Sequence, residues 1–278
     1  MALLVCYDLE TTGLSVDRAR VLQLAACAWY EGEEHSFVTF IDPKVHVAPQ
    51  SVRIHGITAE KLTGAPDFTE AWAKFSDFVR GLGAPSLVKL VGHNSHNFDD
   101  RILAAELERH DLCIDSIAGR VLRGDTYITA RKLLRCPFAS HPPSSNEKAS
   151  ASLGKLYENH LGVPLANAHD ALADCRAVRL LLESWKALRH NLEFEPWSSA
   201  VASLRDLRDR KASSSSSSSS SSCTKSYVAK LVFLQPLEPV REHQPRPSPS
   251  KDRRPHCRCC PACGRIVSVF FAHHRCVR

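Results

Sequence analysis

Ala2-Leu3-Leu4-Val5-Cys6-Tyr7-Asp8-Leu9-Glu10-Thr11-Thr12-Gly13 opens the chain with an apolar run that ends in two acids and a turn. The apolar part, residues 2–8, predicts a buried strand. Asp8 and Glu10 stand two apart, and the period-2 geometry of a strand turns both carboxylates to one face. Side by side they repel each other unless a cation sits between them, so the pair points to metal chemistry. Taken alone, the same pattern also describes a solvated strand end.

Working outward, residues 20–30 and 36–42 predict two further strands, with Gly32 in the turn between them. Phe68, Trp72, Phe75 and Phe78 fall at helical spacing within 68–81. An apolar run over 87–91, closed by Gly92, predicts another buried strand, and 99–110 predicts a helix. Asp125-Thr126 opens a short strand or turn leading into a helix by residue 135, and 169–187, rich in Ala and Leu, predicts a long helix. Strands come first and then alternate with helices, which argues for an α/β layer fold with a mixed sheet.

Two later stretches supply the ligands that the first lacks. Gly92-His93-Asn94-Ser95-His96-Asn97-Phe98-Asp99 follows a buried strand and opens a helix, placing a third carboxylate, Asp99, near a strand's C-terminal end. Ligand sites of α/β sheets collect at such ends. His169-Asp170-Ala171-Leu172-Ala173-Asp174 puts an imidazole just before a helix and a fourth carboxylate about one turn inside it. Asp170 has the position of a helix cap, and the small Ala171 lets the helix approach the sheet.

These three stretches resemble the three motifs of the DnaQ-like (DEDDh) 3′→5′ exonucleases: Asp8 to Gly13 the first, His93-Asn94 with Phe98-Asp99 the second, His169-x-Ala171-x-x-Asp174 the third. Ile54-His55-Gly56-Ile57-Thr58 is similar to the segment that lines the terminal nucleotide, Asp125-Thr126 to a family Asp-Thr pair, and Ser152 to Tyr157 to the helix leading toward the third motif. The spacing from His93-Asn94 to Asp99 and the run 152–157 are similar to the three-prime repair exonuclease branch, which implies a part in DNA repair. The resemblance covers roughly residues 3–187.

The resemblance implies an RNase H-like mixed sheet flanked by helices. It also implies a metal-dependent 3′→5′ exonuclease that releases 5′-monophosphates from the 3′ end of nucleic acid, DNA in the first place. The alternatives are a 3′→5′ exoribonuclease and an inactive nucleic-acid-binding scaffold. Asp8, Glu10, Asp99 and Asp174 would hold two Mg²⁺ or Mn²⁺ ions about 4 Å apart, the arrangement of two-metal phosphodiester hydrolysis. Oxygen ligands favour these ions over Zn²⁺. His169 would take the proton from the attacking water, a task suited to a side chain that titrates near neutrality. Leu9, Thr11, Ile54 and His55 would hold the terminal nucleotide, and His93 and Asn94 would orient the Asp99 loop. His96 and Asn97 read as polar loop residues.

The 278-residue chain carries a formal net charge of +6, with 44% hydrophobic and 24% charged residues, an ordinary globular balance that excludes a fibrous or wholly disordered chain. All of that net charge lies in residues 251–278. A basic tail predicts contact with nucleic acid or with a protein partner. No apolar run is long enough to span a membrane and no signal peptide is read, so an intracellular protein, cytoplasmic or nuclear, is expected. Five of the eleven cysteines crowd into 257–276. There Cys260, Cys263, His273 and Cys276 would make a Cys₃His site for one structural Zn²⁺, with Cys257, Cys259 and His274 as alternative ligands. The expected organisation is an exonuclease domain over 1–190, then a linker over 191–255 and a zinc-binding basic tail over 256–278. The linker holds a charged helix at 199–211, ten serines at 213–222 and an apolar run at 227–234.

Overall fold

The computed structural model describes residues 2–135 and 150–215. The loop read at 139–151 falls almost wholly outside these, as do most of the serine run, the apolar stretch 227–234 and the whole cysteine-rich tail. Strand β1 runs Ala2–Thr11, β2 Val21–Tyr30 and β3 Glu33–Phe40, followed by helices α1, Pro49–His55, and α2, Phe68–Gly81. Then come β4, Leu87–Gly92, α3, Asp99–Arg109, β5, Val121–Asp125, and α4, Thr126–Leu134. The series ends with α5, Leu153–Leu161, α6, Ala171–Ser184, α7, Lys186–Asn191, β6, Glu195–Pro196, and α8, Ser198–Ser215.

The strands form one sheet in the order β3-β2-β1-β4-β5-β6. The first three strands pair antiparallel, β1, β4 and β5 pair parallel, and β6 returns antiparallel to β5. This is the mixed sheet that the strand and helix pattern predicts. Glu31 and Gly32 both take positive φ in the two-residue turn joining β2 to β3. Paired positive φ values suit a hairpin connection because they match the strands' twist.

Alternation along β1 decides which face is which. Leu3, Val5, Tyr7 and Leu9 enter a core shared with α2, α3 and α8, where Trp72, Phe75, Ile102 and Leu204 pack. Cys6 enters the opposite core with Cys175, Val178 and Leu181 of α6 and Leu156 of α5. Burying a Leu or Phe side chain is worth roughly 1.5–3 kcal/mol, so the two apolar layers hold the sheet from both sides. By the same alternation, Asp8 and Glu10 belong to the α6 face.

The structure differs from the sequence reading in four places. β1 continues past its apolar part to Thr11, because Asp8, Leu9 and Glu10 stay in register with Ala25, Leu24 and Gln23. β5 is a full strand that ends at Asp125 rather than starting there. The long helix over 169–187 is two helices, broken at Trp185, whose φ of −102° and ψ of 84° are not helical. In the stretch 191–215 the charged helix read at 199–211 is present as α8, but the short strand β6 before it was not read, and Trp197, Ala200 and Leu204 are buried. Among the described residues no helix is long and apolar enough to cross a membrane.

Candidate active site

Asp8 and Glu10 are 8% and 5% exposed, low values for acidic side chains. Glu10 pairs across the ladder with Gln23 of β2, and the register shifts between Glu10 and Thr11. Gln23 Oε1 accepts the N–H of Ala171 at 3.4 Å, so β2 anchors the first residue of α6 beside the acids. Asp170 caps that helix by accepting from Ala173 N–H at 3.0 Å. Asp174 therefore stands in the first turn of a helix fixed at both its cap and its entry.

His169 precedes the cap with a φ of 71°, left-handed backbone that a non-glycine residue adopts only when its surroundings impose it. Its N–H donates to Asp174 Oδ2 at 3.3 Å. Glu10, His169 and Asp174 each offer a ligand atom within 4.8 Å of the others. The buried thiol of Cys175, one residue after Asp174, is pushed well above its ordinary value by burial and then by the charges of Asp8, Cys27, Asp174 and Asp99. Glu10, His169 and Asp174 thus meet at the end of β1 under the start of α6, with Asp8 two residues before Glu10 on the same strand face.

Asp99 arrives on a short loop. Gly92 ends β4, and a Cβ there would lie 2.6 Å from Ser95 Cβ, so only glycine permits the tight turn that follows. Asn94 takes a φ of 64°, residues Ser95–Asn97 form a single 3₁₀ turn, and Asp99 begins α3 with 1% exposure. The ring of His93 bridges Thr126 Oγ1 and the Ala151 carbonyl, both at 2.9 Å. Asn97 donates to Asn94 Oδ1 within the loop. His96 is held neutral near neutral pH, its value lowered to about 4 by burial and by Arg123 and Arg101.

Of the expected nucleotide contacts, Thr11 is buried, and its hydroxyl donates to the Gly13 carbonyl at 2.9 Å. Leu9 differs from the others, because its side chain is fully buried in the core on the opposite face from Asp8 and Glu10. Ile54 and His55 are half-buried at the end of α1. Ser51 Oγ tethers that helix to the carbonyl of Thr12 at 2.8 Å, so α1 lies against the segment that follows the acids. Cys260, Cys263, His273 and Cys276 lie outside the described residues.

Sequence reasoning missed three groups that hold this site together. Gln23 sits inside an apolar strand and looks like an ordinary alternation break. Asp100, fully buried, accepts from the Tyr7 hydroxyl and pairs with Arg123 at 2.9 Å. Arg123 reaches on to Glu195 at 2.8 Å. Asp125 was visible as part of an Asp-Thr pair, but its partners in the Asp99 loop were not.

Residues 5–182 match the family model described as Exonuclease, RNase_T. The chain is 29% identical over 191 residues to the DNA polymerase III PolC-type of Clostridium perfringens, covering 68% of this chain and 12% of that protein. It is 35% identical over 179 residues to the DNA polymerase III PolC-type of Latilactobacillus sakei, covering 64% of this chain and 11% of that protein. The match thus spans only a small part of these relatives' length. Among solved structures, E. coli exonuclease I in complex with a dT13 oligonucleotide is similar with a TM-score of 0.52 at 22% identity, covering 68% of this chain and 43% of that one. Cell-death related nuclease 4 is similar with a TM-score of 0.54 at 18% identity, covering 70% and 66%. At such identities these two likenesses speak for the fold.

Proposed function

The chain belongs to the DnaQ-like exonuclease family whose model it matches over residues 5–182, and on that premise we propose that it is a metal-dependent 3′→5′ exonuclease, acting on DNA and releasing nucleoside 5′-monophosphates. The observation that carries the reading is the convergence of Glu10, His169 and Asp174 within 4.8 Å at the end of β1. The relatives named as DNA polymerases support DNA as the substrate, as does the oligonucleotide bound to the similar exonuclease I.

The donor set fits divalent cations. Carboxylates crowded at one strand end repel unless a cation lies among them, and hard oxygen donors suit Mg²⁺ or Mn²⁺. Asp8, Glu10, Asp99 and Asp174 would hold the ions. Bound there, divalent ions supply charge neutralisation on the phosphate and a more acidic attacking water. The protein's own residues do the rest. His169, held beside Asp174, takes the proton of the attacking water on a ring nitrogen. The water oxygen forms the new bond to phosphorus, the bond to the 3′ oxygen breaks, and that oxygen leaves as a hydroxyl after protonation. Ile54 and His55, with Thr11 and the main chain of Leu9, hold the terminal sugar and base so that only the last phosphodiester reaches the acids.

Residues 256–278 are proposed as a zinc-binding basic tail, through Cys260, Cys263, His273 and Cys276, that tethers nucleic acid or a protein partner. The support is the ligand spacing and the concentration of charge.

The test is digestion of 5′-labelled single- and double-stranded DNA and RNA, with Mg²⁺, Mn²⁺ or chelator. Expected is stepwise shortening of DNA from the 3′ end, stopped by chelator and slowed by a 3′-phosphate. Cutting of circular single strands would exclude the exonuclease reading, and faster shortening of RNA would favour an exoribonuclease.

A further inference from the structure

Asp125 ends β5 and opens α4, and its carboxylate accepts four backbone N–H groups. Two come from the first turn of α4, Tyr127 at 2.8 Å and Ile128 at 3.3 Å. The other two come from the loop that delivers Asp99: Asn94 at 2.9 Å and His96 at 3.1 Å. A helix cap requires only the first two. The labour is divided between the oxygens, since Oδ1 takes Asn94, Tyr127 and Ile128, while Oδ2 takes His96 alone. The side chain is 2% exposed, so no water competes for these bonds.

The loop needs such an anchor. From Asn94 to Phe98 it has one 3₁₀ turn, a left-handed residue at Asn94, and a φ of −133° with ψ of −76° at Phe98. The adjacent Thr126 adds a hydroxyl bond to the Gly92 carbonyl at 3.0 Å, at the other end of the turn. The junction of β5 and α4 therefore grips the segment 92–96, and Asp99 follows three residues on.

We propose that Asp125 is a positioning residue for the metal site: it fixes where the Asp99 carboxylate stands, so that β5, which provides no ligand, sets the affinity of the ion that Asp99 holds. This rests on the reading of Asp99 as a ligand. Hydrogen bonds from N–H to a carboxylate are stronger than neutral ones and define geometry closely. Groups that orient metal ligands from behind typically change metal affinity about 10–100-fold when altered.

Asp125→Asn keeps Oδ1, and with it the cap and the bond to Asn94. It replaces Oδ2 by an amide that cannot accept from His96. Asp125→Ser keeps a good helix cap and reaches neither loop amide. His96→Pro deletes the same loop bond from the other side, since proline has no N–H, and leaves the cap untouched. In the full chain, Mn²⁺ binding is followed by electron paramagnetic resonance and calorimetry, beside kcat and KM on labelled single-stranded DNA. The variants that fold are expected to bind the weaker Mn²⁺ about 10–100-fold less well. Their kcat should fall about 100-fold, as for a misplacement of about 1 Å, with KM nearly unchanged and partial recovery at high Mn²⁺. A folded Asn, Ser or Pro variant with wild-type Mn²⁺ affinity overturns the positioning role and leaves Asp125 a helix cap. A wild-type chain that binds no Mn²⁺, or Asp99→Ala that binds it as well as wild type, overturns the reading of the site itself.

Discussion

Arg123 on β5 and Asp100 on α3 form an ion pair of 2.9 Å in which the side chains are 6% and 0% exposed. The pair lies on the face of the sheet opposite the acids, yet it touches both motifs that supply them. Asp100 adjoins Asp99 and accepts from the hydroxyl of Tyr7, the residue before Asp8. Burial pushes the Asp100 carboxyl up to about 6 against the pull of Tyr7 and Arg123.

Removing one partner of such a pair leaves a buried charge without compensation, which typically costs about 3–5 kcal/mol. Arg123→Met is therefore expected to lower stability by that order, read from urea unfolding at neutral pH. A loss below about 1 kcal/mol, the range of exposed pairs, would mean that water or a neighbouring donor replaces the guanidinium.

The crowded acids make a second prediction about stability in the absence of metal. Asp8→Asn removes one of the mutually repelling charges, so in chelator it should melt above the wild-type chain. The same variant should gain less from added Mg²⁺ and lose at least about 100-fold in kcat, the order expected when one charge-stabilising group is lost. Differential scanning fluorimetry with and without Mg²⁺ checks the first part. A wild-type melting point that Mg²⁺ does not move would argue against a cation among these side chains.

The pH dependence of stability follows from Asp125. Burial raises its carboxyl to about 7, against the N–H groups of His96, Asn94 and Ile128, which favour the charged form. An unfolded aspartate titrates near 3.9. The folded chain thus binds this proton more tightly than the unfolded chain. The resulting stabilisation is complete below about 4 and is lost as pH rises through about 7. Asp125→Asn should flatten the fall in unfolding free energy between these limits, measured by urea titration over a pH series. Parallel curves for both chains would refute it.

The tail gives a prediction independent of the catalytic domain. A chain ending at residue 215 should keep its turnover on short substrates at saturation. It should need more long substrate and show a flatter salt dependence, since the removed residues carry a formal charge of +8 and leave the rest at −2. The full chain should retain one Zn²⁺ after dialysis, by metal analysis, and the shortened chain none. Equal zinc content in the two would remove the tail module.

The parts of the molecule that were legible in the sequence are those whose reasons are local. The run from Ala2 to Tyr7, the acids after it, and the aromatic spacing of α2 each state their own structure. β5 did not, because Arg123 interrupts a five-residue strand, and its justification, Asp100 and Glu195, lies 23 and 72 positions away. The break between α6 and α7 was hidden for the opposite reason: apolar spacing continues across Trp185 while the backbone turns. The acids of the site could be named from three motifs. The groups behind them, Gln23 and Asp100, could not, and Asp125 showed only as half of an Asp-Thr pair, since each acts through a partner distant in sequence.

The two residues of β6 have a further consequence for the handling of the protein. By lying along β5 they finish that side of the sheet with a glutamate and with Pro196, which has no N–H to offer a neighbouring chain. At the far side, β3 ends the sheet with Glu33, Glu34 and His35 near its start. Open strand rims invite pairing with another copy, and charges and proline discourage it. A fragment cut at residue 182, where the family match ends, would bare the rim of β5. It is expected to self-associate and precipitate, whereas a chain carried through residue 215 stays dispersed.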